Sequence, residues 1–271
     1  MKPNRIERKS KVGLLAVLTL VLFSACAAGL MFCYDRLKAL YLEQCVIRDM
    51  EQQVSITSGK MVREDVIAEY LGLKPGANLA LIDFEGKRRE ALKHIYTLRE
   101  ISITRYLPGR VAVVAEERTP VAKLGVHGQR GTTGRVVDGE GMVFVCQRGT
   151  QLLPTIYETP STTTSPGHRI GGRAFAALAL VDLSREPDFA DLAVQDVDIF
   201  KRDYLTATLG NYSKVKISWE GMDEATARSR KALVSRLTNL RHAVRSQLGT
   251  NVKVWNATMP DRIFADTQEK R

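Results

Sequence analysis

Residues 12–34 form an uninterrupted run of 23 uncharged, mostly apolar positions, and no other stretch of the chain matches it. As a helix at ~1.5 Å per residue it spans about 34 Å, enough for a hydrocarbon core of about 30 Å. Beyond it the pattern changes. Residues 35–52 are polar with scattered apolar positions (Leu37, Leu40, Tyr41, Val46, Ile47), which predicts a helix continuing out of the membrane. Val54 and Ile56 alternate with polar residues, as in a half-buried strand closed by Ser58-Gly59. Val62, Val66, Ile67, Tyr70 and Leu71 recur at helical spacing before Gly72. Lys74-Pro75-Gly76-Ala77-Asn78 is turn chemistry, and Asp83 is suited to cap a second helix carrying Phe84, Ala91, Leu92 and Ile95. Ile101, Ile103 and Arg105 start a strand, Leu107-Pro108-Gly109 turns the chain, and Val111, Val113 and Ala115 alternate again. This β-α-α-β-β order predicts two helices on one face of a small sheet over residues 53–120.

After Pro120 helices become sparse. Residues 135–146 read as two short strands around the hairpin turn Asp138-Gly139-Glu140-Gly141. Residues 158–169, rich in Thr, Ser, Pro and Gly, form a loop, and residues 173–184 an alanine-rich, largely buried helix. Val197/Ile199, Leu205/Ala207/Leu209 and Val215/Ile217/Trp219 predict three strands, with Gly210-Asn211 turning the last pair. A long helix is predicted over 223–248. Leu233, Leu237, Leu240, Val244 and Leu248 stripe one face, Asp223 and Glu224 suit its N-terminus, Arg241 and Arg245 its C-terminus, and Gly249 its end. A final strand over 252–258 and a loose polar tail over 265–271 complete the chain. The fold class expected is α+β: one N-terminal transmembrane helix, a five-element domain, and a mainly β domain (121–264) with a long C-terminal helix and final strand.

Charge orients the anchor. The net charge is +10; Lys2, Arg5, Arg8, Lys9 and Lys11 against Glu7 place +4 before the apolar run and leave +6 for the rest. The positive-inside rule puts residues 1–11 in the cytoplasm and the body outside. A cleaved signal peptide ending at the small residues 24–28, or a lipoprotein-like site at Cys26, would export the body equally, but the run continues through Leu30, Met31, Phe32 and Tyr34. Cys45 and Cys146 lie beyond the run and could pair in an oxidising compartment; no C-x-x-C occurs.

Taken in order, several phrases resemble the FtsQ/DivIB family of bitopic bacterial cell-division proteins. They are Ile56-Thr57-Ser58-Gly59, Gly76-Ala77-Asn78-Leu79, Leu107-Pro108 with alternating hydrophobics to Glu117-Arg118-Thr119-Pro120-Val121-Ala122, and Val137-Asp138-Gly139-Glu140-Gly141-Met142-Val143-Phe144 followed by Leu153-Pro154. The resemblance covers residues 54 to about 260. It departs at Thr97-Leu98-Arg99-Glu100 and near Trp255. It implies a POTRA domain over 53–120, a β-domain over 121–264 and a non-enzymatic scaffold at the division septum. Its partners would be small coiled-coil proteins like FtsB and FtsL, captured by strand addition. The implied contact is the final strand: Val252, Lys253, Val254, Trp255, Asn256, Ala257 and Thr258, expected at a sheet edge with Trp255 either as anchor or simply filling the core. Gly59, Gly76, Asn78, Pro108, Glu117, Arg118, Pro120, Asp138, Gly139 and Gly141 read as fold determinants, and Glu117-Arg118 as a surface pair.

Catalytic signals are missing from the sequence. There is no H-E-x-x-H, G-x-S-x-G, Walker loop or dinucleotide fingerprint, and His94, His127, His168 and His242 lack ligand spacing. No cofactor, metal or nucleic acid is expected; lipid contacts residues 12–34. The long helix is basic through Arg228, Arg230, Lys231, Arg236, Arg241 and Arg245, which suits either a solvated face or contact with anionic lipid or an acidic partner. The alternatives carried are a POTRA-bearing export or outer-membrane assembly factor, and an exported cell-wall enzyme.

Overall fold

The structure, a computed structural model, describes residues 5–129, 131–246 and 252–266. The chain divides into two compact units, residues 1–57, 64–88 and 102–114 in one and residues 58–63, 89–101 and 115–271 in the other.

The first unit begins with α1 (Arg5–Gln44), 40 residues of unbroken helix. Within it Leu18–Gln44 is long and apolar enough to cross a membrane by length and composition; its apolar 18-residue stretch has mean hydropathy 1.7, and none of that stretch is buried. α1 stops where a turn takes hold of it. The Asn78 side-chain amide donates to Leu42 O at 2.8 Å, satisfying one of the orphan carbonyls of the last turn. The following residues then run along that turn: Leu79 N donates to Cys45 O, Ile47 N to Ala77 O and Gly76 N to Ile47 O, all between 2.8 and 2.9 Å. Gly76, at φ +84°, and Gly72, at φ +73°, hold left-handed backbone that a side chain would strain. α2 (Met50–Gln53), capped by Asp49, leads into β1 (Val54–Thr57). α3 (Glu64–Leu71) follows, starting two residues later than expected and burying Ile67, Ala68 and Leu71. α4 (Phe84–His94) starts after Asp83, whose carboxylate accepts Gly86 N at 3.0 Å as a cap. β2 (Leu98–Tyr106) and β3 (Arg110–Glu117) complete a three-stranded sheet of order β1-β3-β2, with β1 parallel to β3.

The second unit is built on a nine-stranded sheet of order β12-β11-β10-β9-β8-β7-β4-β5-β6. Its strands are β4 (Pro120–Val126), β5 (Thr132–Asp138), β6 (Val143–Val145), β7 (Thr155–Glu158), β8 (Asp196–Asp198), β9 (Leu205–Thr208), β10 (Lys214–Ile217), β11 (Val254–Ala257) and β12 (Phe264–Asp266). Two helices serve as crossovers between parallel neighbours, α5 (Gly172–Ser184) between β7 and β8 and α6 (Ala227–Arg245) between β10 and β11. They share one core with the sheet. Leu178, Leu180, Val181 and Leu183 of α5, and Leu233, Leu237 and Leu240 of α6, pack with Leu124, Ile156, Val197, Val215, Ile217 and Trp255. Each fully buried leucine contributes roughly 1.5–3 kcal/mol of burial, so the α6 stripe alone is a major part of that core.

Several expectations change. β4 and β7 are strands that the pattern does not announce. Pro120 is the first residue of β4, where its missing N–H costs least, and β3 of the smaller sheet ends three residues before it. The long helix begins at Thr226, whose hydroxyl accepts Ser229 N at 3.1 Å, rather than at Asp223. Leu248 and Gly249 lie outside the described residues. Ala265 and Asp266 are strand, not loose tail. Cys45 and Cys146 are both free thiols, and Cys146 Sγ instead lies 3.3 Å from Arg148 O and 3.4 Å from Met61 Sδ.

Candidate interaction surface at the end of the large sheet

The two ends of the nine-stranded sheet differ. At one end the chain itself covers the start of β6: Val143 N donates to His168 O at 2.9 Å, Gly167 N donates to Val143 O at 2.8 Å, and Met142 bridges Arg169. At the other end β12 pairs inward with β11, Val254 opposite Asp266, Trp255 opposite Ala265 and Asn256 opposite Phe264. Among the described residues no strand lies beyond it. Its outward N–H and C=O groups are a template for another chain.

The final-strand residues therefore sit one place inside the expected edge. β11 is paired on both sides, parallel to β10 and antiparallel to β12, so strand addition on Val252–Thr258 would require β12 to leave. Trp255 is 3% exposed and Ala257 fully buried, both in the core, while Val252, Val254, Asn256 and Thr258 are half-buried and Lys253 is exposed. The reason β12 escapes a pattern reading is its length: three residues, Phe264, Ala265 and Asp266, cannot establish a period. Asn256 Oδ1 accepts Thr258 N at 3.1 Å and Thr258 Oγ1 at 2.8 Å, local bonding that turns the chain away from β11. Around this end Met259 and Phe264 expose 56% and 45% of their surface, apolar contact points beside an open strand.

Electrostatics here are mixed. Arg236 of α6 is buried, and its Nη1 has no partner among the described residues. Burial pulls its guanidinium below the ordinary arginine range, with the Asp261 charge working the other way. Further along α6, burial raises the Asp191 carboxyl, but hydrogen bonds and charge from Arg241 and Arg245 outweigh it and hold it below the usual carboxylate range. Arg228 pairs with Glu220 at 2.7 Å and Arg230 with Glu186 at 2.5 Å. Four of the helix cations thus have protein partners.

Of the residues read as fold determinants, Glu117 and Arg118 each hold a distant partner, 57 and 20 positions away. Glu117 does not pair with Arg118. Its carboxylate accepts the backbone N–H groups of Lys60, Met61 and Val62 at 2.9, 2.9 and 2.7 Å. Gly59 leaves room for it: a Cβ there would stand 2.0 Å from Glu117 Oε2. Arg118 reaches Asp138 at 2.6 Å in a nearly buried pair, and Asp138 Oδ1 also accepts Glu140 N at 3.0 Å and Met142 N at 2.8 Å. Gly141, at φ +81°, sits against Ile170 and Phe175. The surface-pair expectation for Glu117-Arg118 is replaced by two separate anchors, one for the entry to α3 and one for the β5–β6 hairpin.

Two other places were weighed for chemistry. His127 Nδ1 bonds the Asp198 carboxylate, and its ring stacks on Phe200 at 4.3 Å, in a shallow cleft with Tyr157 and Gln129. No third metal-ligating group joins them among the described residues. A cavity of about 310 Å³ between α5 and α6 is lined by Phe175, Ala179, Trp219, Met222 and Leu233. No protein-family profile matches the chain, and no curated protein is significantly similar to it.

Proposed function

We propose that this chain is a membrane-anchored scaffold that captures a partner strand on β12, outside the cytoplasm, and that it works within the bacterial division machinery as the FtsQ/DivIB resemblance implies. The observation that carries the reading is the asymmetry of the large sheet: the start of β6 is covered at Val143 by residues 167 and 168, whereas among the described residues β12 is open, with Phe264 and Met259 exposed at it. Strand addition suits such an edge, because main-chain bonds give affinity and alternate side chains give register. The apolar helix at the other end of the chain supports the anchoring half of the reading, since it would hold binder and partner in one membrane and raise their effective concentration. The order β1-α3-α4-β2-β3 supports reading residues 53–120 as a POTRA domain. Partners resembling the coiled-coil division proteins FtsB and FtsL follow from the resemblance.

The test is backbone-specific. Ala265→Pro removes one N–H from the outermost strand without emptying the core. Co-purification of division proteins with the full-length chain should fall sharply while the melting temperature stays within a degree or two of the parent, roughly the shift of a surface substitution. Unchanged co-purification would exclude capture on β12.

A further inference from the structure

The helix that spans the apolar run does not become uniformly polar when the run ends. Leu20, Phe23, Ala27, Leu30, Tyr34, Leu37 and Tyr41 step by 3 and 4 in strict alternation, the heptad spacing of a packed helix pair. Up to Tyr34 this proves little, because every face there is apolar. Past Tyr34 it is selective. Leu37 and Tyr41 continue the stripe, while Asp35, Arg36, Ala39 and Glu43 occupy the opposite side of the helix. The other described residues leave this stripe largely uncovered: Tyr34 is 65% exposed, Leu37 67% and Tyr41 45%. At ~1.5 Å per residue, Leu37 and Tyr41 stand about 5 and 10 Å beyond Tyr34, the last residue of the uncharged run.

We infer that this stripe is a parallel helix–helix interface with a second copy of the same chain. Three features favour a copy. Copies inserted by the same rule share one topology, so their helices are parallel and in register, as a heptad seam requires. The seam is self-complementary, with small Ala27 between Phe23 and Leu30 allowing close approach. The flanks also agree. By helical geometry Met31, Lys38 and Leu42 border one side of the stripe and Cys33, Leu40 and Gln44 the other, so in a symmetric pair the cation of one copy meets a neutral flank, and no like charges oppose. Inside the bilayer the pair is held by packing alone; beyond it, water adds a hydrophobic drive at Leu37 and Tyr41. The inference rests on α1 spanning a membrane and is independent of strand capture at β12.

The experiment uses the full-length protein, with Cys26→Ala and Cys33→Ala, in vesicles of phosphatidylethanolamine and phosphatidylglycerol. Cys45 and Cys146 are buried and stay. Single cysteines placed at 34, 35, 37, 39, 41 and 43 are oxidised with copper phenanthroline. Disulfide-linked dimer should form at 34, 37 and 41 about fivefold more than at 35, 39 and 43, following the heptad period. Equal linking at all six positions, which is random collision, or none at any, which is an interfacial anchor meeting only lipid, would overturn the pair. A second arm follows energy transfer between labelled copies on dilution with lipid. Leu37→Glu removes about one leucine of burial per copy and should weaken association about tenfold or more, while unchanged association would equally overturn it. Failure in both arms leaves the β12 reading intact, and failure of Ala265→Pro to release partners leaves the helix pair intact.

Discussion

Glu117 and Gly59 should behave as one energetic unit, although 55 to 57 positions separate the Glu117 carboxylate from its backbone donors at Lys60, Met61 and Val62. The carboxylate collects three backbone N–H groups just before α3, at 2.7 to 2.9 Å. Hydrogen bonds to a charged group each contribute roughly 1.5–3 kcal/mol, but water can replace the acceptor at exposed Lys60, so Glu117→Ala should cost about 2–4 kcal/mol in total. Gly59→Ala places a methyl 2.0 Å from Oε2 and 2.4 Å from Cδ of Glu117. A flexible side chain usually moves aside cheaply, but this one cannot move without releasing its three donors. The alanine should therefore cost nearly as much, about 2–3 kcal/mol. Once Glu117 is gone the obstacle is gone as well, so Gly59→Ala in the Glu117→Ala background should be nearly neutral, with a coupling of about 2 kcal/mol. Denaturant unfolding of the two single variants and the double variant measures it, with amide exchange at residues 60–62 as a local readout. Additive losses, or a Gly59→Ala cost below about 0.5 kcal/mol, would refute the cradle.

Leu237, at 1% exposure mid-stripe on α6, should cost about 2–5 kcal/mol as Leu237→Ala in the same unfolding measurement; a small loss would mean the helix packs loosely. Arg118→Met should destabilise by about 3–5 kcal/mol because it strands the Asp138 carboxylate, whereas Arg118→Met with Asp138→Asn should recover much of the loss. Asp196 and Asp191 should show opposite pH behaviour. Burial raises Asp196, opposed by the Thr208 hydroxyl and helped by the Asp198 charge; its folded pKa lies above its unfolded one, so its contribution is complete below about pH 4 and is lost as pH rises through the folded value. Asp196→Asn should raise the melting temperature at pH 7 and make little difference in acid. Asp191 is held low by Arg241 and Arg245, so its contribution is present above about pH 4 and is lost as pH falls through the folded value. Asp191→Asn should lower the melting temperature at pH 7, with the difference again closing in acid.

The elements with long or strongly periodic patterns were legible in the sequence. The apolar run, the α6 stripe, the Asp83 cap and the glycine stop at Gly72 all appear where local chemistry put them. What stayed hidden depends on pairing across sequence distance. β4 and β7 lie parallel to each other, with Lys123 opposite Thr155, and as interior strands they lack the clean alternation that marks a one-sided sheet. β12 is too short to show a period, and missing it moved the expected edge one strand inward. The phrase Glu117-Arg118 looked like a charge pair because adjacency suggests one, yet Glu117 ends β3, Arg118 lies just past it, and each found its own partner.

The central claim is that partners are held at β12, and site-specific photocrosslinking in growing cells tests it most directly. Benzoylphenylalanine in place of Phe264 should capture a single-pass membrane protein of the division machinery, identifiable by mass spectrometry, whereas the same group in place of Val145, beside the covered β6 end, should not. Capture from Val145 but not from Phe264, or capture from neither in dividing cells, would contradict the account.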